Sequence, residues 1–163
     1  MAKNKEEKTN VMRVLEQKKI AYTPHSYPHE EGIAVDGVTV AKSMGFDPAI
    51  VFKTLVARGA SKQYYVFDVP VAENLDLKKA AKAVGEKSIE MIHQKELLPL
   101  TGYVHGGCSP VGMKKLFPTV FHETAENLET MIVSAGKIGY QVELAPHDLA
   151  ALVRAKFADI IVE

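Results

Sequence analysis

Short apolar stretches alternate with short amphipathic segments along the 163-residue chain. Apolar residues that recur every three or four positions predict helices, and β-branched or aromatic runs bounded by turn residues predict strands. The pattern predicts helices over residues 10–19, 38–44, 75–84, 93–98 and 147–153. It predicts strands over residues 22–27, 51–57, 63–69, 89–92, 119–122, 131–134 and 140–144, and residues 157–162 are either a closing strand or a continuation of the last helix.

The order of these elements predicts the fold class. Residues 51–57 and 63–69 flank a polar, glycine-containing connection, which favours a β-hairpin. Helices lie irregularly among many short strands, unlike the regular alternation of a doubly wound fold. We therefore predict a single α+β domain over residues 1–163, with a mixed, largely antiparallel, barrel-like sheet surrounded by helices and a flexible tail over residues 1–8.

Composition and charge narrow the class of protein. Lysine plus arginine and aspartate plus glutamate both number 20, so the formal net charge is zero, whereas a protein that binds nucleic acid through phosphates alone is normally basic. Cys108 is the only cysteine, which excludes an intrachain disulfide and is typical of a reducing compartment. The chain has no apolar run of the ~20 residues that span a bilayer, and residues 1–10 are charged. These features predict a soluble cytoplasmic protein without a membrane partner.

Two segments are candidates for chemistry. Lys53 lies in an apolar, β-branched run, where alternation places it on the same face as Val51 and Leu55; it is either a solvent-facing lysine or a lysine that lines a pocket and meets an anion. Residues 105–112 form a loop with three glycines, whose backbone amides can approach a ligand closely. Together they indicate a fixed cation and N–H donors that face an anionic or carbonyl-bearing substrate.

Other motifs are weaker. The segment Ser134-Ala135-Gly136-Lys137 lacks the first glycine and the hydroxyl of a phosphate loop, so we interpret it as a tight turn. His25 and His29 have the spacing of helical zinc ligands, but the neighbouring prolines disfavour a helix, and we predict no metal site. Cys108 is either a nucleophile activated by a base such as His105 or a packed small residue.

Five lysines form two groups that could contact phosphates. They are either solvated positions on helix surfaces or a rim around a small-molecule pocket. These lysines are Lys78, Lys79, Lys82, Lys114 and Lys115.

The order and spacing of several motifs resemble the YbaK/EbsC family of aminoacyl-tRNA deacylases over nearly the whole chain. The motifs are Phe52-Lys53-Thr54-Leu55, Asp68-Val69-Pro70-Val71, Leu75-Asp76-Leu77-Lys78-Lys79, Gly102-Tyr103-Val104 with the glycine loop, and Val133-Ser134-Ala135-Gly136-Lys137. The sequence is most similar to Cys-tRNA(Pro) deacylases, free-standing relatives of the editing domain of bacterial prolyl-tRNA synthetases. The resemblance implies a mixed α+β fold with a six- or seven-stranded, barrel-like sheet.

The resemblance also implies site residues. Lys53 matches the essential lysine of the family, and Gly106 and Pro110 match its Gly-x-x-x-Pro loop. The predicted catalytic residues are Lys53, Gly106 and Gly107, and the predicted substrate-binding residues are Tyr27, Cys108, Ser109, Pro110 and Ser134. Gln141 is a departure, because an aspartate is expected there.

The implied reaction is hydrolysis of mischarged tRNA(Pro), above all Cys-tRNA(Pro), without a cofactor. Loop amides would stabilise the ester oxyanion, Lys53 would position the tRNA 3′ end, and the substrate thiol would attack its own carbonyl, which would make a lyase classification an alternative. The implied partners are the tRNA(Pro) acceptor end and prolyl-tRNA synthetase. The predicted tRNA-contacting residues are the five lysines, Lys78, Lys79, Lys82, Lys114 and Lys115. The alternatives are a non-catalytic tRNA-binding or synthetase-binding accessory module and a small protein that binds thiols or nucleotides.

Overall fold

Helix boundaries coincide with the capping residues that the sequence offers. The computed structural model describes residues 8–30 and 33–163, and within them the α-helices are α1 (Asn10–Gln17), α2 (Gly37–Ser43), α3 (Leu77–Val84), α4 (Gln94–Thr101) and α5 (Pro146–Val153). The side chains of Thr9, Asp36 and Asp76 accept hydrogen bonds from the first turns of α1, α2 and α3. Gly85 and Gly102 end α3 and α4 in the left-handed conformation.

Eight strands form two sheets. They are β1 (Thr23–Ser26), β2 (Phe52–Gly59), β3 (Tyr64–Pro70), β4 (Ile89–Met91), β5 (Thr119–His122), β6 (Met131–Ser134), β7 (Tyr140–Leu144) and β8 (Lys156–Ala158). The order β1-β7-β6 is antiparallel throughout. In the second sheet, β4-β2-β3-β5-β8, the pairs β2–β3 and β2–β4 are antiparallel, whereas β3–β5 and β5–β8 are parallel. The mixed, largely antiparallel α+β class is therefore confirmed.

Strand β2 connects the two sheets. A parallel bridge joins Val51 to Ile132 of β6, whereas the far end of β2 pairs with β4 from Ala57 to Gly59. The two sheets thus curve into one barrel-like layer, although their hydrogen bonding does not close into a complete barrel among the described residues.

The two faces of this layer pack against different elements. The inner face, with Phe52, Phe121, Met131, Val133 and Val142, forms the main core with α1 and α5. On the outer face, Ala80 and Ala81 of α3 pack in a cluster with Phe67 and Val69, and Ala41 of α2 packs in a cluster with Val51 and Ile132.

The structure tests several predictions about where helices and strands end. Residues 156–158 are a strand, and Ile161 bridges to Leu75, so the closing-strand alternative is confirmed. Helix α4 continues beyond the predicted end and includes Pro99. The tail predicted for residues 1–8 lies outside the described residues except for Lys8, whose ammonium pairs with Glu16 at 2.9 Å. No described helix has the length and apolar character needed to cross a membrane.

Candidate active site

The edge of β2 around Lys53 is a gap between two strand pairings. Strand β6 accompanies β2 at Val51, and β4 joins it from Ala57. Among the described residues, no strand pairs with this edge of β2 at Lys53. Lys53 and Ser134 each lie two residues beyond the bridge between Val51 and Ile132, so the parallel register places them on the same face, beside the gap.

Lys53 is half-buried, and its surroundings contain both apolar and acidic groups. Its register partner is Val69, on the side of the sheet that packs against α3. Burial lowers the pKa of its ammonium, and the nearby carboxylates of Asp36 and Glu73 oppose that shift. A partly desolvated ammonium is suited to bind an additional anion or an acceptor-rich group.

Ser134 begins a tight turn that follows β6. Its Oγ accepts a hydrogen bond from the Gly136 amide at 3.1 Å, and Gly136 has a φ of 96°, so the tight-turn interpretation is confirmed. Directly across the sheet, Gln141 is paired with Ser134 in β7. The Gln141 side chain is 7% exposed and its Oε1 is buried without a hydrogen-bond partner.

The tip of the glycine loop packs against this turn. A Cβ on Gly107 would lie 3.0 Å from the Ile138 nitrogen, and one on Gly106 would lie 2.6 Å from the Ala34 Cβ. Gly106 also has a φ of 89°, a conformation that other residues rarely adopt. The absence of side chains at both positions therefore allows the loop to approach residues 137–138 and the segment that precedes α2.

The two predicted amide donors, Gly106 and Gly107, differ in whether they already donate a hydrogen bond. The Gly107 N–H donates to the Val104 carbonyl at 2.9 Å, so it is already engaged, contrary to our expectation of a donor directed at the substrate. Gly106 donates no hydrogen bond to the described residues. Of the two predicted donors, the Gly106 amide is the one that a ligand can use in this conformation.

Tyr27 reaches the same turn from β1. Its amide donates to the Gly139 carbonyl at 2.9 Å, and its side chain is 8% exposed. The structure therefore brings together Tyr27, Ser134, Gly106 and Gly107 around the turn at residues 136–139. Lys53 is connected to this group through the strand bridge and through the segment from Ala34 to Asp36, and among the described residues no hydrogen bond or ion pair joins it to the glycine loop.

The rest of the loop lies beneath the surface. Cys108 is 7% exposed and Ser109 is fully buried, and Pro110 is also buried. Burial raises the pKa of the Cys108 thiol to about 12, with a further contribution from Asp68, whereas His105 is exposed. A buried, neutral thiol is a poor nucleophile, so these observations favour the packing alternative for Cys108 over the nucleophile alternative.

Sequence reasoning missed the carboxyl group of Asp68. It is fully buried, and the hydroxyl group of Thr54 donates to its Oδ1 at 2.5 Å, while Oδ2 has no partner. The available signal was an aspartate between Phe67 and Val69 in an otherwise apolar strand, because a buried carboxyl group requires compensation.

The two histidines considered as metal ligands have other partners. His25 Nε2 lies 2.8 Å from Glu143 Oε1, and His29 Nδ1 lies 2.9 Å from the Tyr27 carbonyl oxygen. Within residues 8–30 and 33–163, no group of three or more His, Cys, Asp or Glu side chains is arranged to hold a metal ion.

The five lysines do not form one surface. Helix α3, which carries Lys78, Lys79 and Lys82, packs on the outer face of the sheet. Lys114 and Lys115 precede Phe117, which packs in a cluster with Val56 and Val66 on the opposite face. The Lys79 ammonium is already engaged, because it lies 3.0 Å from Asp159 and 2.9 Å from the Ile161 carbonyl oxygen.

Comparison with known proteins identifies the family. The family model for the aminoacyl-tRNA editing domain matches residues 34–152. The chain belongs to the aminoacyl-tRNA editing-domain family. The match includes Lys53, the glycine loop and Ser134, and excludes Tyr27.

Relatives of this editing domain agree in length and architecture. A protein of Enterococcus faecalis named "Putative Cys-tRNA(Pro)/Cys-tRNA(Cys) deacylase EbsC" is 46% identical over 161 residues, which cover 98% of each chain. A solved structure described as "a putative trans-editing enzyme for prolyl tRNA synthetase" is 25% identical, with a TM-score of 0.79 over 94% of this chain and 95% of the other. A hypothetical protein with a TM-score of 0.82 and 18% identity, covering 93% of this chain and 99% of the other, has the same fold.

Proposed function

We propose that this editing domain acts in trans to hydrolyse mischarged tRNA(Pro), with Cys-tRNA(Pro) as its principal substrate. The observation that carries the proposal is that Lys53 and Ser134 lie on one face of the sheet beside the gap in the edge of β2, while the glycine loop with the free Gly106 amide packs against the turn that follows Ser134. A cation beside the gap and an unpaired N–H donor on the loop that packs against the adjoining turn suit an ester joined to a phosphorylated 3′ end. The names of the relatives support the choice of substrate.

Lys53 positions the substrate. Its half-buried ammonium binds a phosphate or ribose oxygen of the terminal adenosine, and the pairing of β2 with β3 holds its backbone in place. Fixing the ester in this way removes much of the entropic cost of reaching the reactive geometry. The lysine accepts no proton in this scheme, which agrees with an ammonium flanked by the carboxylates of Asp36 and Glu73.

The Gly106 amide stabilises the developing oxyanion. One donor of this kind commonly contributes ~10² to 10³ in rate. Gly107 acts differently, because its amide donates to Val104; we assign it a supporting role in the loop turn.

The nucleophile is the thiol of the substrate. Its sulfur forms a bond to the carbonyl carbon, the ester C–O bond breaks, and the thiol proton ends on the ribose oxygen. Water then opens the resulting cyclic thioester to free cysteine. This route fits a site in which the only cysteine of the protein is buried and neutral at physiological pH.

Weak binding of tRNA by the isolated protein follows from its charge. With zero net charge, the domain has no strong field to attract an acceptor stem. We propose that association with prolyl-tRNA synthetase raises the effective concentration of the substrate. Failure to co-purify with the synthetase, together with tight binding to free tRNA, would refute this partner.

The test is hydrolysis of tRNA(Pro) charged separately with cysteine, alanine and proline. We expect rapid loss of cysteine, little loss of proline, and a decrease of ~10² or more for Lys53→Ala, because the ester loses its positioning cation. Lys42→Ala, which removes an exposed lysine of α2, is the matched control and should retain wild-type activity. If the wild-type protein releases no amino acid but still binds tRNA or the synthetase, the accessory-module alternative is supported.

A further inference from the structure

The pair formed by Thr54 and Asp68 lies on the inner face of the sheet, beneath the glycine loop. The two residues are opposite each other in the register of β2 and β3, and Asp68 also faces Phe121 of β5. The Asp68 side chain is fully buried, accepts the Thr54 hydroxyl at 2.5 Å through Oδ1, and leaves Oδ2 without a partner.

The packing of the loop on either side shows what covers this pair. Cys108 belongs to the buried cluster that includes Val56 and Val66. Val111, three residues later, belongs to the cluster that includes Phe52 and Phe121. Since Thr54 lies between Phe52 and Val56 along β2, and Asp68 is close enough to Cys108 to affect the pKa of its thiol, residues 108–111 lie along the face of the sheet that carries Thr54 and Asp68.

The carboxyl group is compatible with this position mainly when it is neutral. A buried carboxylate with one hydrogen bond and no cation nearby is strongly destabilised. Burial accordingly raises the pKa of Asp68 to about 7, and the hydrogen bond from Thr54 opposes that increase. The titratable group facing it from the loop side is the Cys108 thiol, whose own neighbour is the Tyr103 phenol, and burial raises the pKa of each of these two groups to about 12. Of these three groups, Asp68 is the one that changes charge near neutral pH.

We propose that Asp68 is a positioning residue for the editing reaction, and that its neutral carboxyl group supports residues 106–111 in the conformation that presents the Gly106 amide to the ester. The proposal rests on the proposed function. When Asp68 ionises, the loop must move to admit water or turn its amides towards the carboxylate, and the added negative charge also opposes an oxyanion at the loop. Deacylation should therefore decline as the pH rises through the pKa of Asp68.

The primary test is the ratio of activities between Asp68→Asn and wild type from pH 5.5 to 8.5. The ratio cancels the ionisation of the substrate and of its thiol. Because asparagine stays neutral, we expect a constant ratio below pH 6 and a rise of about tenfold by pH 8, since about one in eleven Asp68 side chains is still protonated one unit above a pKa of about 7. Asp148→Asn, at an exposed position of α5, should give a flat ratio.

Thr54→Val provides a second, independent variant. It removes the hydrogen bond that lowers the Asp68 pKa, so the decline in activity should move to higher pH. If Asp68→Asn fails to fold, this shift decides the proposal, and an unchanged pH profile for Thr54→Val would overturn it.

Hydrogen exchange separates the failure of this inference from the failure of the proposed function. In the wild type, protection of amides in residues 105–112, corrected for the intrinsic rate, should decrease between pH 6 and pH 8, and Asp68→Asn should abolish that decrease. If the wild type hydrolyses no aminoacyl-tRNA, the proposed function fails, and hydrogen exchange still decides whether Asp68 positions the loop. A flat activity ratio with identical exchange in both proteins would overturn the inference.

Discussion

Lys53 and Thr54 are consecutive residues of β2, yet they face opposite sides of the sheet and meet different environments. Lys53 is half-buried beside a gap, with Asp36 and Glu73 as acidic neighbours. Thr54 donates to a fully buried carboxyl group that has no cation nearby. In our proposal, one face presents a charge to the ligand and the other holds a neutral acid beneath a loop, so that adjacent residues contribute to binding and to loop support through different physics.

The largest expected effect concerns the loop tip, where the two faces meet. Gly106→Ala places a Cβ 2.6 Å from that of Ala34 and forces a residue with a side chain to a φ of 89°. We expect a decrease in kcat of ~10² or more, because the displaced amide no longer reaches the oxyanion. Single-turnover deacylation measures the loss.

Gly85→Ala is the control for this prediction. Gly85 also has a positive φ, 75°, but a Cβ there would have no atom within 4 Å. Its backbone strain should lower the melting temperature while leaving deacylation at the wild-type rate. Wild-type activity in Gly106→Ala would show that the tip does not contact the reacting ester.

The next prediction concerns stability and the buried acid. The native protein keeps a proton on Asp68 up to a pH of about 7, whereas the unfolded chain loses it near its ordinary pKa of 3.8. Between these values the native state binds more protons, so wild-type stability falls as the pH rises. Asp68→Asn removes this term, and its stability relative to wild type should increase by about 4 kcal/mol from pH 4 to pH 8. Urea denaturation at several pH values measures it; a constant difference would contradict the prediction.

A smaller effect distinguishes the two groups of lysines, which lie on opposite faces. Charge reversal at Lys78 and Lys82 changes the face that carries Lys53, and we expect KM to increase by about tenfold at low salt through lost phosphate contacts. Reversal at Lys114 and Lys115 should raise KM by about threefold, because the Lys114 ammonium lies 3.3 Å from the Pro99 carbonyl oxygen and the Lys115 ammonium lies over the Phe117 ring. Steady-state kinetics at two salt concentrations provides the comparison, and equal effects would show that the acceptor stem contacts both faces.

Among the five lysines, Lys79 is expected to contribute to stability rather than to tRNA binding. It pairs with Asp159 and contacts the Ile161 carbonyl, so Lys79→Glu should lower the melting temperature more than it changes KM. A pure KM effect without destabilisation would place Lys79 among the tRNA contacts, as its sequence neighbourhood predicts.

The sequence predicts one face of β2 better than the other. Lys53 stands out because a charged residue interrupts an apolar run, and the glycine loop stands out by composition. The Asp68 support depends on a loop forty residues later crossing a particular point of the sheet, and local patterns carry no such information. The hydrogen bond from the Gly107 amide to Val104 depends on the geometry of the turn, and the pairing of Lys79 with Asp159 depends on contact between distant segments. Neither can be predicted from a local pattern. The strand boundaries, in contrast, are close to the predicted ones.

The smallest expected effect is at Cys108, which lies on the closed face. Cys108→Ser and Cys108→Ala both remove the thiol, and we expect deacylation within about twofold of wild type, because the proposed mechanism uses no protein nucleophile and the thiol is buried. The alanine variant should be the more stable of the two, since a serine hydroxyl placed among Val56, Val66 and Phe117 requires a hydrogen-bond partner. Deacylation rates and melting temperatures of both variants check this. Loss of activity in both variants, with stability unchanged, would show that the protein thiol takes part in the chemistry. It would contradict the assignment of one face of the sheet to substrate binding and the other to loop support.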